Sequence, residues 1–509
     1  MNVGHILTRT AKNFPDREGL VVDGQRLTFK EINERVNQLA NSLLGQGLNK
    51  GDRVGLLFYN SLAYFESYLA LYKAGLVWVR LNYRLSVSEL TNMMLDSQAS
   101  AILHGPEFGK VADEICESIS GVKMRIHQGE GPGLGYEDPF SSSSKKEPSV
   151  EVNEEDLSDI WYTSGTTGEP KGIMITHRNI LTCVQFLLSD VYWITEDNKL
   201  LTVGALSHAG SVRVLPFILR GALNVLLRAF DPSEIFKTIG KEKITDISTV
   251  PTMLLALMDH PERGNYDLSS LKTITYAGAP TPVERIKEAV NIFGPILDQS
   301  FGQAESIITI THLPKHEHIT NNDPEREKHL ESVGREYPGV QIKVVNEKHK
   351  QCAPGEIGEL ITKSDLVMKG YWNRPEQTAE ALKDGWLYTG DLGYQDKKGY
   401  LYLMDRKHGK IITGGLNVYP REVEEVLAQH KAVAEGSVFG IPDSKWGEAV
   451  TAAVTLRSGA DATEQELIEF CKSKIASYKS PKKVHILDTL PKNAYGKILQ
   501  RELKKRFSS

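Results

Sequence analysis

Short apolar runs and helix-spaced apolar residues alternate along the first half of the chain. The runs at 53–59 and 77–81 are typical of buried strands, and the segment 62–73 between them has the pattern of a helix. Capping signatures indicate two more helices, which begin after Thr28 and Ser86. Because such β–α alternation usually places strands side by side in parallel, the pattern predicts mostly parallel sheets covered by helices.

A long polar stretch interrupts this alternation, which then resumes. Residues 129–155 are rich in glycine, serine, proline and charge, and we interpret them as a surface connection. After it, the strand-like run 273–277 leads into a glycine-containing turn. From about Val333 the pattern changes to short strands and turns, which predicts a small β-rich subdomain.

A boundary between two domains is predicted at Asp405, in a polar turn that follows a strand over 399–404. Residues 1–404 then form a large N-terminal domain, and residues 405–509 form a small α+β domain. The predicted fold class is α/β, with parallel-sheet subdomains and one β-rich subdomain in the N-terminal domain.

The composition of the 509 residues is that of an ordinary globular protein, with 40% hydrophobic and 25% charged residues. A formal net charge of −5 gives no footprint for nucleic acid or an anionic membrane, so neither is expected as a partner. The four cysteines have no metal-ligand spacing, which favours reduced thiols. Because no segment is typical of a signal peptide or a membrane span, we expect a cytoplasmic location.

The most distinctive motif is the run from Tyr162 to Gly172, which contains three glycines, three threonines, one serine and Lys171. Glycines bring backbone N–H groups close to a phosphate, hydroxyls add donors, and a lysine adds a positive charge. Pro170 stands where a Walker loop needs glycine, so the motif is a different one. The alternative is a flexible linker, but the ordered exit through Pro170 and Lys171 into an apolar run favours a phosphate-binding loop.

With its surroundings, this loop resembles the signature of the adenylate-forming superfamily, which includes acyl-CoA synthetases, luciferases and peptide-synthetase adenylation domains. Further motifs of that superfamily follow in its order along nearly the whole chain: FGQAE at 301–305, GYWNRPEQT at 370–378, GWLYTGD at 385–391, DRKHGKIITGGLNVYPREVEE at 405–425 and PKNAYGKI at 491–498. The resemblance implies an acid–thiol ligase that uses ATP, Mg²⁺ and CoA with a small-molecule carboxylic acid. A homodimer is an open option for its assembly.

The resemblance implies two steps, which are acyl-AMP formation with release of pyrophosphate and transfer of the acyl group to CoA. The expected nucleotide-binding residues are Thr163, Ser164, Gly165, Thr166, Thr167, Gly168, Lys171, Gly278, Ala279, Pro280, Gln299, Phe301, Gly302, Gln303, Ala304, Asp391, Arg406 and Lys497. Glu305 and Thr167 are the expected Mg²⁺ ligands, since magnesium prefers oxygen ligands. Other interpretations stay open, with Glu305 as a surface residue, Phe301 as core and Asp391 as a turn cap.

Lys497 is the residue to which the resemblance assigns adenylation, where it would bridge the carboxylate and the α-phosphate electrostatically. The alternative is a solvated lysine in a basic C-terminal tail. Further catalytic residues are expected at Lys171, Glu305 and His208. After acyl-AMP forms, members of the superfamily rotate a mobile small domain about the residue that matches Asp405. The CoA tunnel is then expected at Gly414, Gly415 and Leu416.

The acyl pocket is expected around His208, which matches a histidine of the superfamily, although a lone histidine is also compatible with a structural role. Its expected lining residues are His208, Gly210, Ser211, Val250, Met253 and Gly302. The stretch 206–213 lacks the acidic residue with which amino-acid-activating domains pair an ammonium group, and an unpaired ammonium would be costly there. We therefore expect an acid without an α-amino group. A medium or long fatty acid is favoured, and an aryl or cyclic acid is the alternative.

Three features depart from the simplest expectation. Ala304 stands where the superfamily usually has threonine, which removes a hydroxyl expected to contact the α-phosphate. The stretch 407–410 differs from the commoner pattern beside the expected hinge, and the third departure is the missing acidic residue in the stretch 206–213. The histidines at 312–318 are interpreted as a loop rather than a metal site. Two other functions stay open: an enzyme that loads a carrier protein, and a degenerate nucleotide-binding sensor.

Overall fold

The structure is a computed structural model that describes residues 2–163, 170–321, 323–406, 409–413, 416–443, 446–493 and 496–508. Its strands are β1 (Glu18–Val22), β2 (Gln25–Thr28), β3 (Arg53–Leu57), β4 (Val77–Arg80), β5 (Ala101–His104), β6 (Met124–His127), β7 (Leu134–Gly135), β8 (Leu157–Thr163), β9 (Lys171–Thr176), β10 (Lys199–Thr202), β11 (Leu223–Leu226), β12 (Asp246–Thr249), β13 (Thr273–Ala277), β14 (Leu297–Phe301), β15 (Thr311–Leu313), β16 (Arg335–Glu336), β17 (Gln341–Val345), β18 (Gly358–Lys363), β19 (Gly370–Tyr371), β20 (Leu382–Lys383), β21 (Trp386–Gln395), β22 (Leu401–Arg406), β23 (Ile411–Thr413), β24 (Leu416–Val418), β25 (Val433–Asp443), β26 (Gly447–Leu456) and β27 (Lys483–Ile486).

The α-helices pack on and between these strands. They are α1 (His5–Asn13), α2 (Phe29–Gly45), α3 (Leu62–Ala74), α4 (Val87–Asp96), α5 (Gly109–Ser118), α6 (Asp138–Ser142), α7 (His177–Phe186), α8 (Ser211–Leu219), α9 (Pro232–Glu242), α10 (Pro251–Met258), α11 (Val283–Phe293), α12 (Pro324–His329), α13 (Pro375–Ala381), α14 (Pro420–Ala428), α15 (Glu464–Lys474) and α16 (Gln500–Phe507).

Two large sheets form the N-terminal part of the described chain. One has the strand order β16-β15-β14-β13-β12-β10-β11-β1-β2 and the other β19-β9-β8-β4-β3-β5-β6-β7. Parallel pairs run from β14 to β1 in the first sheet and from β8 to β7 in the second, and the outer pairs are antiparallel. The largest apolar cluster contains side chains of both sheets and of α2, α3, α7 and α8, so the main core lies between the sheets.

Two smaller sheets complete the fold. An antiparallel sheet has the order β17-β18-β21-β20, with β22 paired to β21, and it corresponds to the predicted β-rich subdomain. The C-terminal sheet has the order β24-β23-β26-β25, with β27 parallel to β26, and it carries α14 and α15 on its own apolar core. The predicted α/β fold class, with a large N-terminal part and a small C-terminal α/β part, is confirmed.

The predicted helix starts are confirmed by side-chain geometry. Thr28 Oγ1 accepts a hydrogen bond from the Glu31 backbone N–H, and the Glu31 carboxylate accepts one from the Thr28 backbone N–H. Ser86 and Glu89 make the same reciprocal pair before α4. Both pairs satisfy backbone donors that a helix start leaves unpaired, which is why short polar signals located these helices correctly.

The predicted turn at Asp405 and Arg406 is wrong, because both residues belong to β22. Their backbones pair with β21, where Arg406 is opposite Asp391 and Asp405 is opposite Leu392. The ladder of hydrogen bonds to a long neighbouring strand outweighs the turn preference of two polar residues. The predicted domain boundary between 404 and 405 therefore lies inside a strand, and it stays a prediction.

The predicted surface connection at 129–155 is anchored to the body of the protein. Side-chain amides of α2 donate to its backbone, from Gln38 to Phe140 O at 2.7 Å and from Asn37 to Lys145 O at 2.9 Å. The buried ammonium of Lys73 binds Glu147 at 2.8 Å. These contacts hold the segment that leads into β8 and hence into the phosphate-loop motif.

Candidate active site

Four of the expected site segments follow parallel strands of the first large sheet. The carboxyl ends of β10, β12, β13 and β14 precede the segments that carry His208, Val250, Gly278 and Gly302, respectively. In open α/β sheets, ligands bind at such carboxyl ends because loops converge there. The fold therefore collects residues that are far apart in the sequence at one edge.

Lys171, Tyr371 and Glu305 form a connected group. The Lys171 ammonium nitrogen lies 5.3 Å from the centre of the Tyr371 ring, and the Tyr371 hydroxyl donates to Glu305 Oε1 at 3.0 Å. Sequence reasoning had placed Lys171 and Glu305 in one site but had given Tyr371 no role. The sequence did contain a sign that Tyr371 belongs to the site, because Tyr371 is part of the GYWNRPEQT motif.

Backbone pairing explains why these three side chains meet. Tyr371 is in β19, whose two residues pair antiparallel with Met174 and Ile173 of β9 just after Lys171. Glu305 is in a 3₁₀ turn, Ala304–Ser306, and its carbonyl accepts from the Met368 backbone N–H at 2.8 Å. The segment before β19 is thus hydrogen-bonded to Glu305, and β19 itself is paired with β9. Together these bonds hold Glu305 close to the start of β9, where Lys171 lies.

Most of the phosphate-loop motif lies outside the described residues. This applies to the predicted ligands Ser164, Gly165, Thr166, Thr167 and Gly168. At the two ends of the loop, Thr163 of β8 and Lys171 of β9 are opposite each other in an antiparallel pair. The structure therefore positions the start and the end of the loop side by side.

The expected adenine-binding residues surround the ends of β13 and β14. Gly278 has a φ of +94°, a left-handed conformation that suits glycine, and Ala279 and Pro280 continue its turn. Gln299 is buried, and the Tyr276 hydroxyl lies 3.4 Å from its side-chain oxygen and 3.0 Å from His318 Nε2. Burial lowers the pKa of His318 to about 4, so this histidine is neutral at pH 7.

The FGQAE segment turns sharply after β14. Any side chain at Gly302 would collide with the backbone of Ile308, so only glycine fits there. Phe301 and Ala304 are half-buried and pack against the main core. Gln303 starts the 3₁₀ turn that carries Glu305, through a bond between its carbonyl and Ser306 Oγ at 3.2 Å. Both side chains thus contribute to core packing, which agrees in part with the alternative interpretation of Phe301 as a core residue.

The two residues expected to bind ribose are neighbours across a strand pair. Asp391 of β21 is buried, and its Cα is opposite that of Arg406 in β22. The Asp391 backbone N–H donates to Thr389 Oγ1 at 3.1 Å. The structure thus brings together two residues of separate motifs, GWLYTGD and the motif that starts at Asp405.

His208 is held by a buried arginine. Arg80 Nη1 donates to the His208 carbonyl at 3.0 Å and to Ser211 Oγ at 2.7 Å, and Asp159 neutralises the guanidinium at 2.6 Å. Burial, with the nearby charges of Arg80 and Arg84, lowers the pKa of His208 to about 3. The imidazole is therefore neutral at pH 7 and presents no positive charge to an acid.

The other predicted pocket residues lie at the starts of two helices, α8 and α10. Ser211 uses its hydroxyl within the Arg80 network, and Gly210 precedes it at the start of α8. Val250 lies beside Gly278, where a Cβ on the glycine would be 3.8 Å from Val250 Cγ1. Met253 is half-buried in α10. Arg80 and Asp159 were missed from the sequence, although charged residues in runs typical of buried strands were a usable signal.

The turn that carries Lys497 faces α10 of the N-terminal part. A Cβ at Gly496 would lie 3.1 Å from Thr252 Oγ1, and Thr252 follows Val250 by two residues. The Lys497 backbone N–H donates to Asn493 Oδ1 at 2.9 Å, which closes the turn. Lys497 and the predicted acyl-pocket residue Val250 are thus brought to the same side of the molecule.

The predicted CoA-tunnel loop is described only in part. Gly414 and Gly415 lie outside the described residues, whereas Leu416 begins β24 with 48% of its surface exposed. Ile412 and Trp446, on adjoining strands or turns, are also exposed. These three exposed apolar residues belong to the C-terminal sheet or its turns, and the register of β23 with β24 places Ile412 and Leu416 on opposite faces.

Comparison with models of known protein families identifies the family to which this chain belongs. A model described as "AMP-binding enzyme" matches residues 7–372, and one described as "AMP-binding enzyme C-terminal domain" matches residues 422–497. The chain belongs to the AMP-binding enzyme family. Its resemblance to adenylate-forming enzymes, which six motifs indicated, is confirmed.

Curated relatives of this AMP-binding enzyme extend over nearly its whole length. It is 35% identical over 502 residues to a feruloyl-CoA synthase of an Amycolatopsis species, with 98% of each chain covered. It is 37% identical over 533 aligned positions to a long-chain-fatty-acid–CoA ligase of Bacillus subtilis, with 98% of this chain and 93% of that one covered. The enzyme class, an AMP-forming acid–thiol ligase, is therefore confirmed.

Solved structures agree with the fold of this AMP-binding enzyme. ATP-bound MatB from Rhodopseudomonas palustris is 28% identical with a TM-score of 0.89, and 100% of this chain and 99% of that one are covered. MenE from Bacillus subtilis, in complex with the acyl adenylate OSB-AMP, is 32% identical with a TM-score of 0.86, and 98% and 97% are covered. At the level of the family, the predicted cofactors ATP, Mg²⁺ and CoA are confirmed.

Two absences hold for the described part of this AMP-binding enzyme. Within it, no helix has both the length and the apolar surface that crossing a bilayer requires. The same residues contain no group of three or more His, Cys, Asp and Glu side chains arranged to hold a metal ion. In the histidine-rich stretch, His312 is in β15 and bonds Asp298 at 2.8 Å, and His318 is in a 3₁₀ turn, so this stretch is more ordered than the predicted loop.

Proposed function

We propose that this enzyme joins a carboxylic acid without an α-amino group to CoA through an acyl adenylate, with a medium or long fatty acid as the first candidate substrate. The observation that supports the proposal most is the group of Lys171, Tyr371 and Glu305, which joins three separate motifs at one strand edge. An aryl or cyclic acid is the second candidate, since the relatives include a feruloyl-CoA synthase. A cytoplasmic location and a homodimer stay predictions.

In the first step, the residues at the strand edge would hold ATP and stabilise the charge that develops at the α-phosphate. Lys171 would bind the terminal phosphates, and Asp391 with Arg406 would hold the ribose. Lys497 would bridge the carboxylate and the α-phosphate from the turn that faces Thr252. Preorganised cations of this kind stabilise a transition state strongly because they need no reorganisation when charge develops.

The described residues fit a magnesium ion that arrives with ATP. Magnesium commonly binds through one or two carboxylates plus substrate phosphates, rather than in a cage of protein ligands. Glu305 supplies one carboxylate whose Oε1 is already oriented by the Tyr371 hydroxyl at 3.0 Å. Bound there, the ion would neutralise phosphate charge.

Glu305→Gln is expected to lower pyrophosphate release with saturating acid about 100-fold, because the amide keeps the shape but loses the charge that attracts the ion. Higher Mg²⁺ should restore part of the rate. The measurement is pyrophosphate release as a function of Mg²⁺ concentration. Glu336→Gln, at an exposed strand position, is the matched control. An unchanged Mg²⁺ dependence in Glu305→Gln would remove Glu305 from the proposed metal site.

In the second step, the exposed ring of Trp446 would contact CoA. Trp446 is 40% exposed, and the Lys482 ammonium lies 5.8 Å from its ring. An aromatic face beside a lysine suits a ligand that combines a flat base, a thin apolar arm and phosphates. Leu416, which the resemblance assigned to the CoA tunnel, begins β24 in the same sheet as β26, the strand that Trp446 precedes.

Trp446→Ala is expected to lower kcat/KM for CoA about tenfold. One exposed aromatic contact typically contributes about 1.4 kcal/mol, which corresponds to a factor of ten. Acyl-AMP formation without CoA should keep its rate. The measurement compares thioester formation from supplied acyl-AMP with pyrophosphate release in single turnover. Trp193→Ala, at a 95% exposed tryptophan of the N-terminal part, is the control. Equal losses in both steps would contradict the assignment.

The charge around His208 supports an acid without an ammonium group. Arg80 and Arg84 both act electrostatically on His208, and the carboxylate of Asp159 is engaged by Arg80. A substrate ammonium would find the nearby Asp159 carboxylate already paired with Arg80, so it would lose its hydration without gaining a counterion. This agrees with the absence of acidic residues from the stretch 206–213.

The experiment that tests the proposal is pyrophosphate release with ATP and Mg²⁺ over a panel of acids, with and without CoA. The panel contains fatty acids from acetate to palmitate, benzoate, cinnamates, cyclic acids and amino acids. CoA-dependent turnover with a fatty acid is the expected result. Turnover with amino acids only would overturn the proposal. Pyrophosphate release that CoA does not accelerate would favour the loading of a carrier protein, a reaction named for one relative that is 31% identical.

A further inference from the structure

Arg213 is a buried arginine that the proposed reaction does not use. It is in the first turn of α8, two residues after Ser211, and only 3% of its surface is exposed. Its Nη1 donates to the Tyr192 hydroxyl at 3.0 Å. No carboxylate of the described residues forms an ion pair with it, whereas Arg80 in the same core has Asp159 at 2.6 Å.

Among the described residues, Arg213 makes one hydrogen bond, to Tyr192, and no ion pair. Arginine carries five N–H donors and stays charged in proteins, and buried charges are normally paired and hydrogen-bonded. Tyr192 accepts one of these donors, and its oxygen is also 3.3 Å from Thr275 Oγ1. A planar fork of donors in an apolar interior fits a carboxylate, which accepts two parallel hydrogen bonds.

The acidic group that acts on Arg213 from within the protein already has a partner. Asp298 Oδ2 is bonded to His312 Nε2 at 2.8 Å, and the His312 ring stacks on Tyr337. Burial raises the pKa of the Asp298 carboxyl, so its surroundings disfavour the charged form that would balance an arginine. Asp298 therefore compensates Arg213 only weakly.

Arg213 follows the proposed acyl-pocket residues directly in the chain. The pocket residues His208, Gly210 and Ser211 immediately precede it, so its helix starts at the pocket. Its partner Tyr192 touches Thr275, which precedes the strand end at Ala277 by two residues. Two strand residues span about 7 Å, so Thr275 lies about that far from the strand end that leads to Gly278.

We propose that Arg213, with the Tyr192 hydroxyl, forms a subsite for a second carboxylate of the substrate, at the end of the acid that is not activated. The inference rests on the proposed function, and it names the substrate class as dicarboxylic acids with an apolar spacer. His208 and the strand edge hold the activated end, and the residues between them and Arg213 contact the spacer. The second carboxylate would supply the counterion that the described residues do not provide.

The test uses the full-length enzyme and matched pairs of acids. Each α,ω-dicarboxylate from glutarate to dodecanedioate is compared with the monocarboxylate of the same chain length, and 4-carboxycinnamate is compared with cinnamate. The readout is kcat/KM for CoA-dependent pyrophosphate release. We expect the kcat/KM of at least one dicarboxylate to be tenfold or more above that of its matched monocarboxylate. A site built to hydrogen-bond a polar group of the substrate discriminates by at least about tenfold against an analogue without that group.

Arg213→Met is expected to lower this dicarboxylate preference about 10–100-fold, because it removes the donors and keeps a long apolar side chain. Arg213→Lys should lower it less, since the charge stays while the fork is lost. Arg220→Met, at the exposed end of α8, is the matched control and should keep the preference.

The results separate the subsite from the proposed function. If the enzyme turns over monocarboxylates but none of the matched dicarboxylates, the subsite proposal is wrong and the proposed CoA-ligase function is unaffected. Turnover of no acid in the panel would overturn the proposed function itself. An Arg213→Met enzyme that melts lower but keeps a wild-type preference would assign Arg213 to stability. If that variant does not fold, the wild-type comparison of matched acids decides.

Discussion

Lys497→Ala is expected to lower the rate of acyl-AMP formation about 10³-fold while thioester formation from supplied acyl-AMP continues. The ammonium would act on the charge that develops between the carboxylate and the α-phosphate, and removing one such preorganised charge typically costs 10²–10³ in rate, about 3–4 kcal/mol. The Gly496 turn that carries Lys497 packs against Thr252, which places it beside the proposed acyl pocket. Single-turnover measurements of both half-reactions provide the check.

The neighbouring Lys492 provides the control for this prediction. It lies just before the same turn, and its ammonium binds Glu435 at 2.7 Å within the C-terminal part. Lys492→Ala should therefore leave acyl-AMP formation within about twofold, as for most partly exposed ion pairs. Equal losses in both half-reactions of Lys497→Ala would show that Lys497 acts on folding or on a shared step instead.

Asp159→Asn is expected to destabilise the enzyme by about 3–5 kcal/mol, the usual cost of removing one partner of a buried ion pair. Asp159 is fully buried, and its carboxylate neutralises Arg80, whose guanidinium lies between the rings of Trp78 and Trp161 at 3.9 and 4.1 Å. The asparagine would leave that guanidinium charged and without its carboxylate. Thermal unfolding with and without ATP provides the measurement.

Asp156→Asn is the matched control, because Asp156 pairs with Lys50 at 2.6 Å where both side chains are about one-third exposed. That loss should stay below about 1 kcal/mol. A double variant, Arg80→Met with Asp159→Leu, should recover much of the stability, since apolar replacements of buried pairs are often tolerated. It should not recover activity, because Arg80 also holds His208 and Ser211. Recovery of both would show that Arg80 has no part in positioning His208.

Local signals made much of the fold predictable. Thr28 with Glu31 and Ser86 with Glu89 specify helix starts through hydrogen bonds that close within one turn, so the sequence contains the whole interaction. The motifs likewise named Lys171, Glu305 and Asp391, each inside a run of recognisable residues. Of these, Lys171 and Glu305 are joined through Tyr371 in the structure.

Long-range interactions set the limit of what could be predicted. Asp405 and Arg406 form a strand because β21 offers a partner, a fact that no local turn preference contains. Arg80 meets Asp159 across two strands, and Arg213 meets Tyr192 across two helical segments, so neither pairing leaves a sequence pattern. Tyr371 was visible within a motif, but its contact with Glu305 depends on the pairing of β19 with β9.

Two of the contacts between the C-terminal part and the rest of the enzyme are polar. Arg457 and Glu288 lie 3.5 Å apart with 35% and 40% of their side chains exposed, and Arg421 donates to the Glu331 carbonyl at 3.4 Å. Exposed pairs of this kind contribute at most about 1 kcal/mol each. Loss of the exposed Arg457–Glu288 pair would therefore cost little in a rotation of the small part such as the resemblance implies, in which each ligand would shift the population toward the arrangement that it binds better. Raised ionic strength, which screens such pairs, should shift that balance before it affects the buried site.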